Sequence, residues 1–170
     1  MSRPPTFAHR NLPLLLLKAR EAVMQHRRPT LRGYGLSDQQ WRVLRVLAEP
    51  GRADGLDTGR LAREAHLLGP SLTGMLARME AAGLLQRTRS SEDARRSVVR
   101  ATAEGLALAA ALSTAIEAQY LELEDHLGQR KLAQLYQLLD ELIALHPAEG
   151  DQDDDLSDSA DTERLSEAVA

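Results

Sequence analysis

A mainly α-helical fold of about six helices and one β-hairpin is predicted, on three observations. Hydrophobic residues make up 43% of the 170-residue chain but aromatics only 3%, and the apolar content is mostly Leu and Ala. That mixture suits helices better than a β-sandwich, whose strands draw on β-branched and aromatic residues. Capping residues followed by apolar positions three and four apart recur along the chain, at Asn11, Ser37, Asp57 or Thr58, and Thr102. Between Gly83 and Thr102 the period changes to that of two short strands.

The first helix starts after Asn11, with Pro13 in the first turn, where a missing N–H costs least. Leu14, Leu15, Leu16 and Leu17 make it apolar around most of its circumference, so it needs two partners: its own domain and a second subunit. Pro29 is expected to kink or end it, with Gly33 and Gly35 completing the stop. Ser37 and Gln40 form a capping box for a second helix carrying Trp41, Leu44, Leu47 and Ala48. A short third helix presents Leu61, Ala62 and Ala65 inward, and residues 66–69 make a tight connection. The fourth helix has Pro70 in its first turn and Leu72, Leu76 and Met79 as its core face. Gly83 is its left-handed stop, followed by apolar Leu84. Residues 85–89 and 97–100 read as strands flanking a polar tip at 90–94. Thr102 caps a long helix through Leu127, Gly128 interrupts it, and a last helix runs from about Lys131 to Leu145. A helix–turn–helix followed at once by a hairpin is a winged helix–turn–helix, here at 35–101. The helical segments 11–34 and 102–146, from both ends of the chain, then form a dimerisation region.

The net charge of −4 averages two unlike pieces. Nine acidic residues and one basic residue lie between Glu149 and Ala170, so residues 1–148 carry +4. The acidic 147–170 tail holds too little apolar surface to offset the entropy of ordering, and disorder is expected there. No cysteine is present, which excludes disulfides, thiolate metal sites and a thiol switch. No long apolar run or leader pattern occurs, so a soluble cytoplasmic protein with no membrane partner is expected. Phosphate-cradling glycine loops, nucleophile elbows and paired histidine ligands are all missing, which argues against an enzyme, a cofactor and a metal site.

The basic residues are concentrated where such a module meets DNA. Opposite the core face of the fourth helix stand Ser71, Thr73, Gly74, Ala77, Arg78 and Ala81. Small and hydroxylic side chains permit close approach to a major groove, and Arg78 is long enough for a phosphate or a guanine edge. Gly74 inside a helix costs about 1 kcal/mol relative to alanine, so a reason of approach or packing is expected. Arg87, Arg89, Arg95, Arg96 and Arg100 place five arginines within fourteen residues on the hairpin. A tip arginine suits the concentrated negative potential of a minor groove, and Asp93 is placed to hold Arg95 in register.

Residues from about 12 to 146 resemble the multiple antibiotic resistance regulator (MarR) family of winged-helix dimers. The wing signature Asp-x-Arg is present as Asp93-Ala94-Arg95. The following Leu-Thr-x-x-Gly cap appears as Ala101-Thr102-Ala103-Glu104-Gly105, with Ala101 where Leu is usual. Segments 14–22, 37–42 and 69–74 are similar to those of repressors of homoprotocatechuate (4-hydroxyphenylacetate) degradation operons. The resemblance implies a homodimer on double-stranded operator DNA, with reading helices in successive major grooves and wings in flanking minor grooves. It carries groove contacts onto Ser71, Thr73 and Arg78, the wing pair onto Asp93 and Arg95, and phosphate contacts onto Arg89 and Arg96.

It also implies a small-molecule input bound between the dimer helices and the winged lobe. Arg20 and Arg42 are charged positions on otherwise apolar helices near Met24 and Trp41. A guanidinium fork with an adjacent indole suits a small aromatic carboxylate such as 4-hydroxyphenylacetate. The alternative is that Trp41 is plain core and the two arginines pair with Glu21 or Asp38. Repression is expected as the commoner mode of the family. An activator, or a MarR-type regulator of an efflux or stress regulon with another effector, is the rival reading.

Overall fold

The computed structural model describes residues 8–67, 69–89 and 97–145. Six α-helices and three short strands follow one another as α1 (Leu12–Gly33), α2 (Asp38–Leu47), β1 (Leu56–Asp57), α3 (Thr58–Glu64), α4 (Gly69–Ala81), β2 (Leu85–Arg89), β3 (Ser97–Ala101), α5 (Ala103–Leu127) and α6 (Gln129–Ala144). The mainly helical, winged helix–turn–helix expectation holds.

Each predicted cap is made. The Asn11 side chain accepts from the Leu14 N–H at 3.0 Å. At Ser37 the box is reciprocal: its hydroxyl accepts from Gln40 N–H (3.3 Å) and its own N–H donates to Gln40 Oε1 (2.9 Å). Asp57, one of the two candidates, caps α3 through Arg60 N–H. Gly83 has φ +74°, and the Leu84 N–H returns to the Met79 carbonyl at 3.0 Å, closing α4 as a Schellman turn.

Three expectations need correction. Of the two outcomes expected at Pro29, a kink or an end, the end does not occur: α1 runs on to Gly33, where the expected Gly33 and Gly35 stop holds. The last turn is held by Leu31, which is buried, and by a Schellman closure through Gly35, with the Leu36 N–H bonded to the Leu31 carbonyl at 2.9 Å. A third strand, β1, pairs with β3 in the order β1-β3-β2, all antiparallel, with Leu56 opposite Val99. Gly55, at φ +79°, permits this: a Cβ there would meet the Val99 carbonyl oxygen at 2.4 Å. Finally, α6 begins at Gln129 rather than Lys131, because the Gly128 carbonyl at once accepts from Lys131 and Leu132 N–H.

The chain divides into two compact units, up to Leu132 and from Ala133. The first holds one continuous core in which Leu44, Leu61, Leu72, Leu76, Met79 and Val99 of the winged region join Met24, Leu31, Leu112 and Ile116 of α1 and α5. The described part of the second is the remainder of α6, with Leu135, Tyr136, Leu138 and Ile143 exposed. No described helix is long and apolar enough to cross a membrane.

Candidate nucleic-acid interface and effector site

Helix α4 separates its two faces as the spacing predicts. Leu72, Met75, Leu76 and Met79 are buried, while Thr73, Gly74, Ala77, Arg78 and Ala81 are exposed. Ser71 lies in the first turn of α4, and its side chain is outside the described set. A Cβ added at Gly74 would meet only the Arg78 guanidinium, at 3.7 Å. The fold therefore gives no internal reason for glycine there, and the outward-facing backbone remains the one feature that alanine would alter.

The wing is joined to α4 by a clasp. Glu80, in the last turn of α4, accepts from the Arg87 backbone N–H at 3.0 Å through one oxygen. Its other oxygen takes Arg87 Nε at 2.7 Å and Nη2 at 2.6 Å. Arg87 thus fixes β2 against α4, so one of the five hairpin arginines is engaged within the fold. Arg89 is exposed at the end of β2, and Arg100 donates to Thr88 Oγ1 at 3.2 Å. Asp93, Arg95 and Arg96 lie outside the described residues.

The clasp is titratable. The Arg87 side chain, then its N–H, hold the Glu80 carboxyl below its ordinary 4.5. Arg28, bonded at 2.6 Å, and then Arg20 do the same for Glu21. Because both values are depressed on folding, these pairs contribute stability above 4.5 and lose it as the pH falls through the lower folded values. Thermal unfolding between about pH 6 and pH 3 should show the melting temperature falling, and Glu80→Gln should flatten part of that fall. An unchanged slope in the variant would leave the clasp without a role in stability.

Of the four candidate effector residues, Arg20 and Arg42 meet at Asp38 and Met24 and Trp41 are buried, so all are engaged within the fold. Trp41 is 3% exposed and Met24 5%, so both belong to the core. Arg20 bonds Glu21 at 3.1 Å and Asp38 at 2.9 Å. The Arg42 Nη1 donates to the Ala65 and His66 carbonyls, both at 2.8 Å, and its Nε lies 3.6 Å from Asp38. Two guanidinium groups, one on α1 and one on α2, therefore share one carboxylate.

A cleft of about 370 Å³ opens between α1 and α5, lined among others by Val23, His26, Arg27, Tyr120 and Leu123. The Arg27 guanidinium stacks on the Tyr120 ring at 4.8 Å. Its Nε is buried without a hydrogen-bond partner, as is Gln119 Oε1, while Gln119 Nε2 donates to the His26 carbonyl and to Thr30 Oγ1. Sequence reasoning passed over these residues, because Gln119 and Tyr120 lie some 90 positions from their partners on α1. Among the described residues no group of three or more His, Asp or Glu is placed to hold a metal ion.

The geometry has close counterparts among known proteins. The sequence signature of the MarR family matches residues 34–96. The homoprotocatechuate degradative operon repressor of Escherichia coli is 42% identical over 137 residues, covering 81% of this chain and 90% of that protein. The HTH-type transcriptional regulator FarR of Neisseria gonorrhoeae is 40% identical over 145 residues, 85% of this chain and 97% of FarR. In three dimensions the chain is similar to NadR in its complex with 4-hydroxyphenylacetate. That match has a TM-score of 0.71 and 41% identity, covering 82% of this chain and 97% of NadR. With its capped reading helix, its wing and relatives aligned over nearly their whole length, the chain belongs to the MarR family of DNA-binding transcriptional regulators.

Proposed function

We propose that the chain is a homodimeric repressor of an aromatic-acid catabolic operon, of the homoprotocatechuate/4-hydroxyphenylacetate type, released from operator DNA by a phenolic acid. The observation that carries this reading is its 41–42% identity, over 90–97% of their lengths, with a homoprotocatechuate operon repressor and with a regulator crystallised with 4-hydroxyphenylacetate. Ser71, Thr73, Gly74 and Arg78 are the major-groove residues, Asp93 and Arg95 the minor-groove pair, and Arg89 and Arg96 the phosphate contacts. Dimerisation through helices at 11–34 and 102–146 is supported by the large apolar residues left uncovered on α1 and α5, Leu12, Leu14, Leu17 and Leu121 among them.

In this reading the effector carboxylate competes with Asp38 for Arg20 and Arg42 near Met24 and Trp41. The cleft beside Tyr120 favours a second reading, in which Arg27 is the anchor: its unpartnered Nε and the unpartnered Gln119 oxygen offer one donor and one acceptor to a hydroxylated aryl acid.

The test is a mobility shift with the intergenic DNA upstream of its own gene, with and without 4-hydroxyphenylacetate. Binding that this acid weakens about 5-fold or more is expected. No binding to that DNA, or binding that ignores phenolic acids, would remove the assignment. Arg95→Ala should lose tight binding, by about 10-fold or more, while the dimer stays folded, as an arginine in a minor groove requires. Unchanged affinity would remove Arg95 from the interface.

A further inference from the structure

We propose that Thr58 is a positioning residue for the wing: its hydroxyl pins the strand that follows the hairpin tip, and so aims the tip arginines at DNA. This deepens the DNA reading above. The effect on binding rests on that reading, and the anchoring itself does not.

The chain runs against β3 from Gly55 onward, where the backbone lies so close that a Cβ would collide with the Val99 carbonyl. Leu56 then pairs with Val99 and Asp57 with Val98. Thr58 cannot carry the ladder on with its backbone, because it is the first residue of α3, whose first turn is capped by the Asp57 carboxylate. Its side chain takes over: Thr58 Oγ1 donates to the Ser97 carbonyl at 3.1 Å. A hydroxyl thus adds one rung to the ladder, and that rung falls on the first residue of β3.

What adjoins Ser97 gives the rung its consequence. Ser97 directly follows Arg95 and Arg96 in the chain and faces Arg89 across the hairpin, where the described pairing of β2 with β3 ends. The Glu80–Arg87 clasp holds β2 to α4 two residues farther in, opposite Val99, and leaves the outer end of the hairpin to its own cross-strand bonds. A two-stranded ribbon is marginal by itself in water, so an outside attachment at its last described pair limits how far the tip swings. Thr58 supplies that attachment, from α3. An uncharged residue therefore governs how well charged ones meet the duplex.

The experiment uses the full chain. Affinity for its upstream intergenic DNA is measured over a range of salt concentrations, and amide hydrogen exchange at Arg89 and Ser97 is followed without DNA. Thr58→Val keeps the branched shape and removes the donor. The two amides are expected to exchange faster, and affinity to fall about 5-fold. The slope of log K against log salt becomes shallower by about 1 as a wing cation disengages, although no charge has been changed. Thr58→Ser retains the hydroxyl and the wild-type values. In an Arg95→Ala background, Thr58→Val costs less than about 2-fold further, because the contact it aims is already gone. Should Arg95→Ala bind as wild type, Arg96→Ala takes its place in the cycle, and Thr58→Ala serves if the valine variant does not fold. Wild-type exchange, wild-type affinity or an unchanged salt slope in Thr58→Val would each overturn the proposal. So would an equal loss in both backgrounds, which would put Thr58 on the DNA itself. If the wild-type protein ignores that DNA, the DNA reading falls alone, and exchange decides the anchoring.

Discussion

Gly105→Ala is expected to lower the melting temperature by about 10 °C. An added Cβ would stand 2.1 Å from the Leu84 carbonyl oxygen, 3.1 Å from its carbon and 3.4 Å from the Leu44 side chain. The oxygen is not free to retreat, because it accepts the Thr102 N–H at 3.1 Å. Thr102 in turn donates through its hydroxyl to the Gly83 carbonyl at 2.6 Å and accepts the Gly105 N–H at 3.0 Å. The Thr-x-x-Gly cap is therefore a weld between the end of α4, the start of β2 and the start of α5. Forcing backbone apart at such a point costs about 3 kcal/mol or more. Gly83→Ala makes the comparison. Its Cβ meets only the flexible Glu104 carboxylate at 3.3 Å, so the cost is that of a left-handed alanine, about 1 kcal/mol. Calorimetry of the two variants measures the difference, and a Gly105→Ala protein melting within a degree or two of wild type would refute the clash.

Gly74→Ala is expected to move stability and DNA affinity in opposite directions. Alanine in place of a helical glycine gains about 1 kcal/mol, and the sole neighbour of the new methyl is Arg78 at an ordinary 3.7 Å. The melting temperature should rise by a few degrees. On the proposed reading, operator affinity should fall about 10-fold or more, since the methyl would stand between the helix backbone and the base edges. A variant both more stable and equally tight on its operator would show that the backbone at Gly74 keeps its distance from DNA.

Much of this was legible in the sequence because its causes are local. Asn11, Ser37 with Gln40, Thr102, and Gly83 before Leu84 act within five residues, and each does in the structure what its spacing predicts. The features that escaped depend on distant partners. Strand β1 is two residues long and exists only because Val98 and Val99, some 40 positions on, lie beside it. Pro29 reads as a kink or a stop, but burial of Leu31 outweighs one missing hydrogen bond and α1 continues to Gly33. Arg87 reads as one more cation of the wing, and only the approach of Glu80 turns it inward. The same applies to the α1–α5 cleft: charge patterning drew attention to Arg20 and Arg42, whereas Arg27 gains interest only when Tyr120 comes under it.

The grip of Glu80 on Arg87 has a geometric corollary. Because two hydrogen bonds and a further ion-pair contact fasten the final turn of α4 to the first strand of the hairpin, α4 and β2 share a single hinge and cannot be re-aimed separately. Under the proposed function, a lobe swinging away from the duplex would carry α4 and β2 together. On that reading, operators with altered spacing would be met by tilting whole lobes, with α4 and β2 moving as one piece.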